Sequence, residues 1–423
     1  MTPPLPVAII GAGPVGLAAA AHLIGRGLDV VIFERNDEVA ASQRAWGHVR
    51  LFSPWRYNVD RAAAALLEST GWTAPPPEEM PTGRDLVERY LQPLSQVPVI
   101  RERLRLGRRV EAITRVGVDK VRTAGRGDRP FLVRTRTADD VQEEWRASAV
   151  IDASGTWFSP NPLGASGLPA LNEDTFRDRI VYGIPDVLGV DRPRYVDRTT
   201  MVVGAGHSAA NSMLALVSLA DAHPNTEIVW STRGSNLARV FGGGAADGLP
   251  ARGALGAALR QLVDAGRITM VDDFRITSLH EADGHLEVQG ERGGVRIAIG
   301  GIDTIIAATG QRPDLAMLRE LRLGIDPALE SVAALAPLID PNEHSCGTVR
   351  PHGARELAHP EPGFYVIGSK SYGRAPTFLL ATGYEQARSV AAMLAGDRDA
   401  ALRVELDLPE TGVCNLRPAA GAA

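Results

Sequence analysis

Apolar residues run unbroken from Val7 to Ile10, stop at Gly11, and resume as a second solid run from Val30 to Phe33. Runs of this length without alternation predict strands buried on both faces. The small-residue stretch between them in VAIIGAGPVGLAAAAHLIGRGLDVVIFE (7–34) predicts a helix packed closely on those strands. The pattern returns further along, in TTMVVGAGHSAANSMLALVSLADAHPNTEIVWSTR (199–233), with its turn at Gly204. Each copy has the same sequel. FLVRTRT (131–137) and EEWRASAVIDASG (143–155) end on Gly155. GRITMVDD (266–273), HLEVQG (285–290) and VRIAIGGIDTIIAATG (295–310) end on Gly310. Alternating runs followed by a solid one predict a small β-meander feeding a buried strand that stops at a turn. The chain therefore reads as an internal duplication, an α/β protein with two Rossmann-like domains, each carrying a meander.

The turns carry the chemistry. In GAGPVG, Gly11 suits a tight turn, Gly13 lets backbone reach a pyrophosphate, and Gly16 lets helix and strand approach. Glu34 closes the second strand, where a carboxylate accepts ribose hydroxyls. These parts predict an adenine-dinucleotide site. The second copy has Gly204 and Gly206, with Ala210 read as standing for the third glycine. Its acid is missing; Thr232 and Arg233 stand near where a ribose 2′-phosphate would lie, which favours NADPH over NADH.

Composition narrows the class without changing this picture. A chain of 423 residues suits two domains rather than one core. Its net charge of −5 offers no basic face to nucleic acid. The apolar stretch near the N-terminus is broken by the glycines, so neither signal peptide nor membrane span is expected there. Two cysteines, Cys346 and Cys414, give no disulfide framework, and a reducing cytoplasm is expected. Lys120 and Lys370 are the only lysines, a scarcity attributed here to composition. Expected boundaries are a first domain over 1–160, a linker over 161–196, a second domain over 197–312 and a further region over 313–423. An insertion near 37–105 holds the prolines Pro75–Pro77 and a helix expected from Gly83 to Tyr90.

In this order the chain resembles two-dinucleotide-binding-domain flavoproteins over most of its length. The resemblance implies FAD in the first domain and NADPH in the second, with the ASG and ATG turns at Gly155 and Gly310 beside the two nucleotides. It also implies that the chain returns to the first domain after Gln311. Phe364–Gly368 is then expected as a strand and Thr377–Leu394 as a helix whose positive end faces the flavin. Gly368 is followed by Ser369, not by the aspartate that such proteins often place there. The block ERNDEVAASQRAWGHVRLFSPWRYNVD (34–60) looks like the corresponding stretch of flavin-containing monooxygenases. It offers Arg35, Trp46, His48, Arg50, Phe52 and Trp55 as neighbours of flavin or substrate. VVGAGHSAAN resembles their NADPH turn, adding Ser208 and Asn211, and Gly242–Gly244 is read as a loop able to cover NADPH.

No paired Cys-x-x-Cys is present, as a flavoprotein disulfide reductase ordinarily requires. A monooxygenase needs no redox side chain, because a flavin C4a-hydroperoxide carries the oxygen. HSCGTVRPHG (344–353), LAHPEPGFYVIGSKSYGRAPTFLLATGYEQARSV (357–390) and LPETGVC (408–414) look like the flavoprotein monooxygenases of bacterial arsenic-resistance operons. That resemblance implies oxidation of a trivalent arsenical, with Cys346 and Cys414 as thiolates for a soft centre. The spacing of His344, His352 and His359 fits no zinc pattern, so no metal is expected. Molecular oxygen and a small molecule are the expected reactants, no catalytic side chain is singled out, and a homodimer is left open. N-hydroxylation or S-oxygenation is the alternative in the same class; an NADPH-dependent reductase or a flavoprotein sensor is the alternative outside it.

Overall fold

The computed structural model describes residues 4–235, 241, 250–342, 352–376 and 378–406. It forms two units: the first is built from residues before 160 and after 311, the second from Pro160–Gln311.

Unit 1 starts with β1 (Val7–Ile10), the helix Pro14–Gly25 and β2 (Val30–Phe33). A helical insertion and β3 (Leu104–Arg105) lead to the strands β4 (Arg108–Arg115), β5 (Phe131–Thr137) and β6 (Gln142–Ala147), and then to β7 (Ala149–Asp152). Unit 2 contributes β8 (Ile180–Tyr182), β9 (Thr199–Val203), the helix His207–Ala222, β10 (Glu227–Ser231) and β11 (Thr269–Val271). Its meander is β12 (Phe274–Ala282), β13 (His285–Arg292) and β14 (Val295–Ile302), followed by β15 (Thr304–Ala307). The chain then returns to unit 1 through β16 (Phe364–Val366) and the helix Leu380–Leu394.

Among the described residues, the parallel sheet of unit 1 has the order β16-β7-β1-β2-β3, and that of unit 2 the order β11-β10-β9-β15-β8. Each unit also has an antiparallel meander. In unit 2 the alternation of side chains explains the layering. Val202 and Ile306 face one way, into a core shared with Ala209, Met213 and Leu216 of the helix, while Met201, Val203 and Ile305 face the meander residues Phe274, Leu279 and Val288. In unit 1 the helix Pro14–Gly25 is buried from Pro14 to Ala21, which its alanines permit. The returning helix packs against it, and a Cβ at Gly383 would lie 2.6 Å from Val15 Cγ2, so close approach requires glycine there.

Four expectations need correction. The stretch 161–196 is no linker: it supplies β8, and its Glu173 carboxylate accepts from Leu163 and Ala170 N–H and from the Tyr182 hydroxyl, all within unit 2. GRITMVDD gives the parallel edge strand β11 rather than a meander strand, and the meander opens with β12. The strand after Gly363 ends at Val366, because Gly368, at φ +73°, turns the chain into a short 3-10 helix. The following helix begins at Leu380.

The helix expected at Gly83 does begin there, capped by reciprocal hydrogen bonds between Thr82 and Asp85. It continues through a wide turn, Val87–Leu91, to Gln96. Pro93 has no N–H to return to the carbonyl of Arg89 one turn back, and that carbonyl accepts the Trp72 indole N–H at 2.7 Å.

Candidate functional site

The two glycine turns share the same pair of backbone hydrogen bonds to their neighbouring strands. In unit 1, Gly11 N–H donates to Phe33 O (2.7 Å) and Ala153 N–H to Ile10 O (2.9 Å). In unit 2, Gly204 N–H donates to Ser231 O (3.0 Å) and Ala308 N–H to Val203 O (2.8 Å). Thr232 therefore occupies the place of Glu34, Arg233 that of Arg35, and Gly310 that of Gly155. Gly13 and Gly206 each cap a helix N-terminus without a side-chain hydrogen bond and with no acid in the first turn. Counting from these caps, Ala209 and not Ala210 stands where Gly16 stands; the expectation of Ala210 was one residue too far along the helix.

Three glycines in one turn have different causes. Gly11 has φ +99°, and a Cβ on it would lie 2.8 Å from Ala153 O. A Cβ on Gly16 would collide with Gly11 O. Both are demanded by the chain itself. Gly13 has φ −81°, and its nearest neighbour to a built Cβ is Gln43 Oε1 at 3.9 Å. Gly206 has φ −107° and meets nothing within 4 Å. Neither conformation nor crowding by the chain calls for glycine at these two positions. Each opens onto free space at the positive end of a helix, where first-turn N–H groups have no helical partner.

Around the first turn, Glu34 is buried and its carboxylate accepts from Ala12 N–H (3.0 Å), Asn36 N–H (3.0 Å) and Asn36 Nδ2 (2.8 Å). These bonds fix the acid at the strand end. The exposed Arg35 stacks over Phe158, 3.8 Å from the ring centroid. Gly155 has φ +70°, and a Cβ on it would lie 3.6 Å from Ser369 Oγ. Gly368 N–H donates to Gln386 Oε1 (2.7 Å), and its α-carbon side faces Val15. Trp46 is half-buried and packs on Gly83, where a Cβ would lie 2.6 Å from Cε3 of the indole. Trp55 is 1 % exposed and belongs to the hydrophobic core, so it is not an open flank of the crevice. Arg50 donates to Met80 O (2.8 Å), and the buried Nε2 of His48 has no hydrogen-bond partner.

Around the second turn, Thr232 is buried and its hydroxyl donates to Gly234 O (2.9 Å), while Arg233 is exposed and reaches Ala165 O at 3.4 Å. Asn211 Nδ2 donates back to His207 O (2.9 Å), and Ser208 is half-buried in the first turn. Gly310 has φ +84° and receives Asn161 N–H on its carbonyl at 2.9 Å. Sequence reading missed Trp230, whose indole N–H holds Gly204 O at 2.8 Å; a polar tip on a buried strand tryptophan was its sole trace. It also missed Asp152 and Lys370, an ion pair at 2.7 Å beside the Ala153–Gly155 turn.

Cys346, Cys414, Thr377, His344 and the loop Gly242–Gly244 lie outside the described residues. His352 is buried and pairs with Gln386 Nε2 (2.9 Å), and His359 Nδ1 accepts Gly324 N–H (3.1 Å). Burial lowers His359 to about 4. Among the described residues no three His, Cys, Asp or Glu gather as metal ligands, and no helix is long and apolar enough to cross a membrane.

Residues 6–92 match the family model described as FAD dependent oxidoreductase. No curated protein matches the chain in sequence. The chain is similar in fold to bacillithiol disulfide reductase Bdr from Bacillus cereus, at 18% identity and TM-score 0.67, over 93% of this chain and 99% of that one. It is likewise similar to the ornithine N-hydroxylase from Kutzneria, at 16% identity and TM-score 0.58, over 94% and 100% of the two chains. A flavin monooxygenase from Stenotrophomonas maltophilia matches at 18% identity and TM-score 0.54, over 93% and 98%.

Proposed function

We propose that the chain is a flavin-dependent oxidoreductase that holds FAD in the turn of unit 1 and NADPH in the turn of unit 2, and that it works as a monooxygenase on a small soft nucleophile. The observation that carries the nucleotide reading is the pair Gly13 and Gly206, glycines that the chain does not itself require and that open onto helix N-termini. A pyrophosphate approaching backbone N–H groups needs that space. Glu34, anchored at its strand end, supports a ribose with free hydroxyls. Thr232 in the equivalent place removes a carboxylate that would repel a 2′-phosphate, and the exposed Arg233 adds a cation. When bound, FAD supplies hydride acceptance from the nicotinamide and activation of oxygen; the chain's part is to hold, orient and shield it.

The finer reading rests on sequence. The block 34–60 and the three C-terminal stretches support a monooxygenase, and a trivalent arsenical such as methylarsenite is the substrate we propose, held by Cys346 and Cys414 as soft thiolate donors. The test measures NADPH and oxygen consumption, with product identification, against arsenite, methylarsenite, amines, thioethers and disulfides. Oxygen-dependent turnover stimulated by a trivalent arsenical is expected. Stimulation by an amine or thioether alone would move the assignment to N-hydroxylation or S-oxygenation. Disulfide reduction that proceeds equally without oxygen would replace the monooxygenase reading with a reductase.

A further inference from the structure

Lysine is nearly excluded from this chain, with Lys120 and Lys370 the only two among 45 Lys and Arg residues. Lys370 is 2 % exposed. Its ammonium lies 2.7 Å from Asp152 Oδ2 and donates to Ser154 Oγ at 3.0 Å. Asp152, fully buried at the end of β7, accepts on Oδ1 from Ser154 N–H (3.1 Å) and from the Ser154 hydroxyl (2.6 Å). Its backbone carbonyl accepts Ile367 N–H (2.9 Å) from the returning segment. One carboxylate and one ammonium thus clasp the Ala153–Gly155 turn from two sides. The turn is the wall that crowds Gly11, since Ala153 O lies 2.8 Å from where a Cβ on that glycine would be.

Stability alone does not account for such a pair, because apolar side chains of similar volume in place of a buried ion pair are often neutral or stabilising. We propose that Lys370 is a positioning residue for the FAD crevice: through Ser154 it holds the Ala153–Gly155 turn where the flavin nucleotide meets it. The inference rests on the reading that unit 1 binds FAD. It also explains the residue type. Lys370 has one ion-pair partner, Asp152 Oδ2, and one side-chain hydrogen-bond acceptor, Ser154 Oγ, in reach. An arginine would bring five N–H groups in a planar fork to the same buried place and leave some unsatisfied.

The experiment uses full-length K370M, K370R, S154A and the K370M/S154A double variant, stripped of flavin. FAD is titrated back by fluorescence, the absorption bands of the bound flavin are recorded, and apoprotein unfolding is followed separately. K370M is expected to weaken FAD binding by about tenfold or more, the scale of one charge-assisted hydrogen bond, and to shift the flavin bands. S154A, which leaves the ion pair intact, moves both readouts the same way; the double variant is no worse than K370M, and K370R does not restore binding. Wild-type affinity and spectrum in folded K370M, full restoration by K370R, or losses that add in the double variant would each overturn the proposal. If K370M does not fold, S154A decides, and unchanged FAD affinity there overturns it. Should the wild-type protein itself take up no FAD, the underlying reading fails instead, so the two failures are distinguishable.

Discussion

Glycines that look alike in sequence separate by cause at the scale of the residue. Gly13→Val is expected to leave apoprotein unfolding close to that of the parent and to abolish FAD uptake, because the side chain points into space the protein leaves open. Gly16→Ala should do the reverse, lowering the unfolding temperature through its collision with Gly11 O. Calorimetry and flavin content on the same preparations check both, and a Gly13 variant that retains FAD would remove the main support for the crevice. A second residue-scale prediction concerns pH. Burial holds His359 at about 4, against an ordinary value near 6.5 in the unfolded chain. Between those values the unfolded chain binds the extra proton, so the stability is fully present above pH 6.5 and falls as pH drops toward 4, by up to about 3 kcal/mol. His359→Asn retains an acceptor for Gly324 N–H and should flatten that dependence in urea titrations; an unchanged slope would refute the assignment. The glycines and Glu34 were legible in sequence because strand, turn, helix and second strand follow one another without interruption over residues 7–34. Lys370 and Asp152 were not, since their pairing exists only after two distant segments join one sheet, and a rare lysine looked like composition.

At the scale of the element, the proposed reading assigns nicotinamide choice to the strand end. Thr232 stands where Glu34 stands in the other unit, so Arg233→Ala should reduce the preference for NADPH over NADH by about 1.5–3 kcal/mol. Thr232→Glu should push it further in the same direction. The ratio of kcat/KM for the two nucleotides measures both, and an unchanged ratio in Arg233→Ala would place the 2′-phosphate on another residue. Solid apolar runs located β1, β2, β7, β9, β10 and β15, because strands buried on both faces leave that mark. Elements whose identity depends on neighbours were less readable. β11 and β12 lie two residues apart and belong to different sheets, and nothing in their local pattern says where the chain changes sheet. The wide turn before Pro93 likewise depends on Trp72 being near enough to take a freed carbonyl.

For the whole molecule, unit 2 is an insertion in unit 1. Arg312 N–H donates to Ser159 O at 2.9 Å, so the two points where unit 1 is interrupted are adjacent. Unit 1 also closes on itself: Glu361 of the returning segment accepts from Arg115 and Arg126 of the meander region, each at 2.8 Å. Replacing 160–311 by a short turn is therefore expected to leave a folded protein that still binds FAD and no longer oxidises NADPH. Flavin content and unfolding cooperativity of that protein measure this, and an unfolded product would show that unit 1 depends on the insertion. The same interruption orders events on the ribosome. Unit 2 is contiguous and is complete in the nascent chain once residue 311 has emerged, whereas β7 waits for β16 and Asp152 waits for Lys370. During translation the inserted unit is thus free to fold first, the amino-terminal half-sheet stays open beside it, and flavin capture becomes one of the last steps of biogenesis.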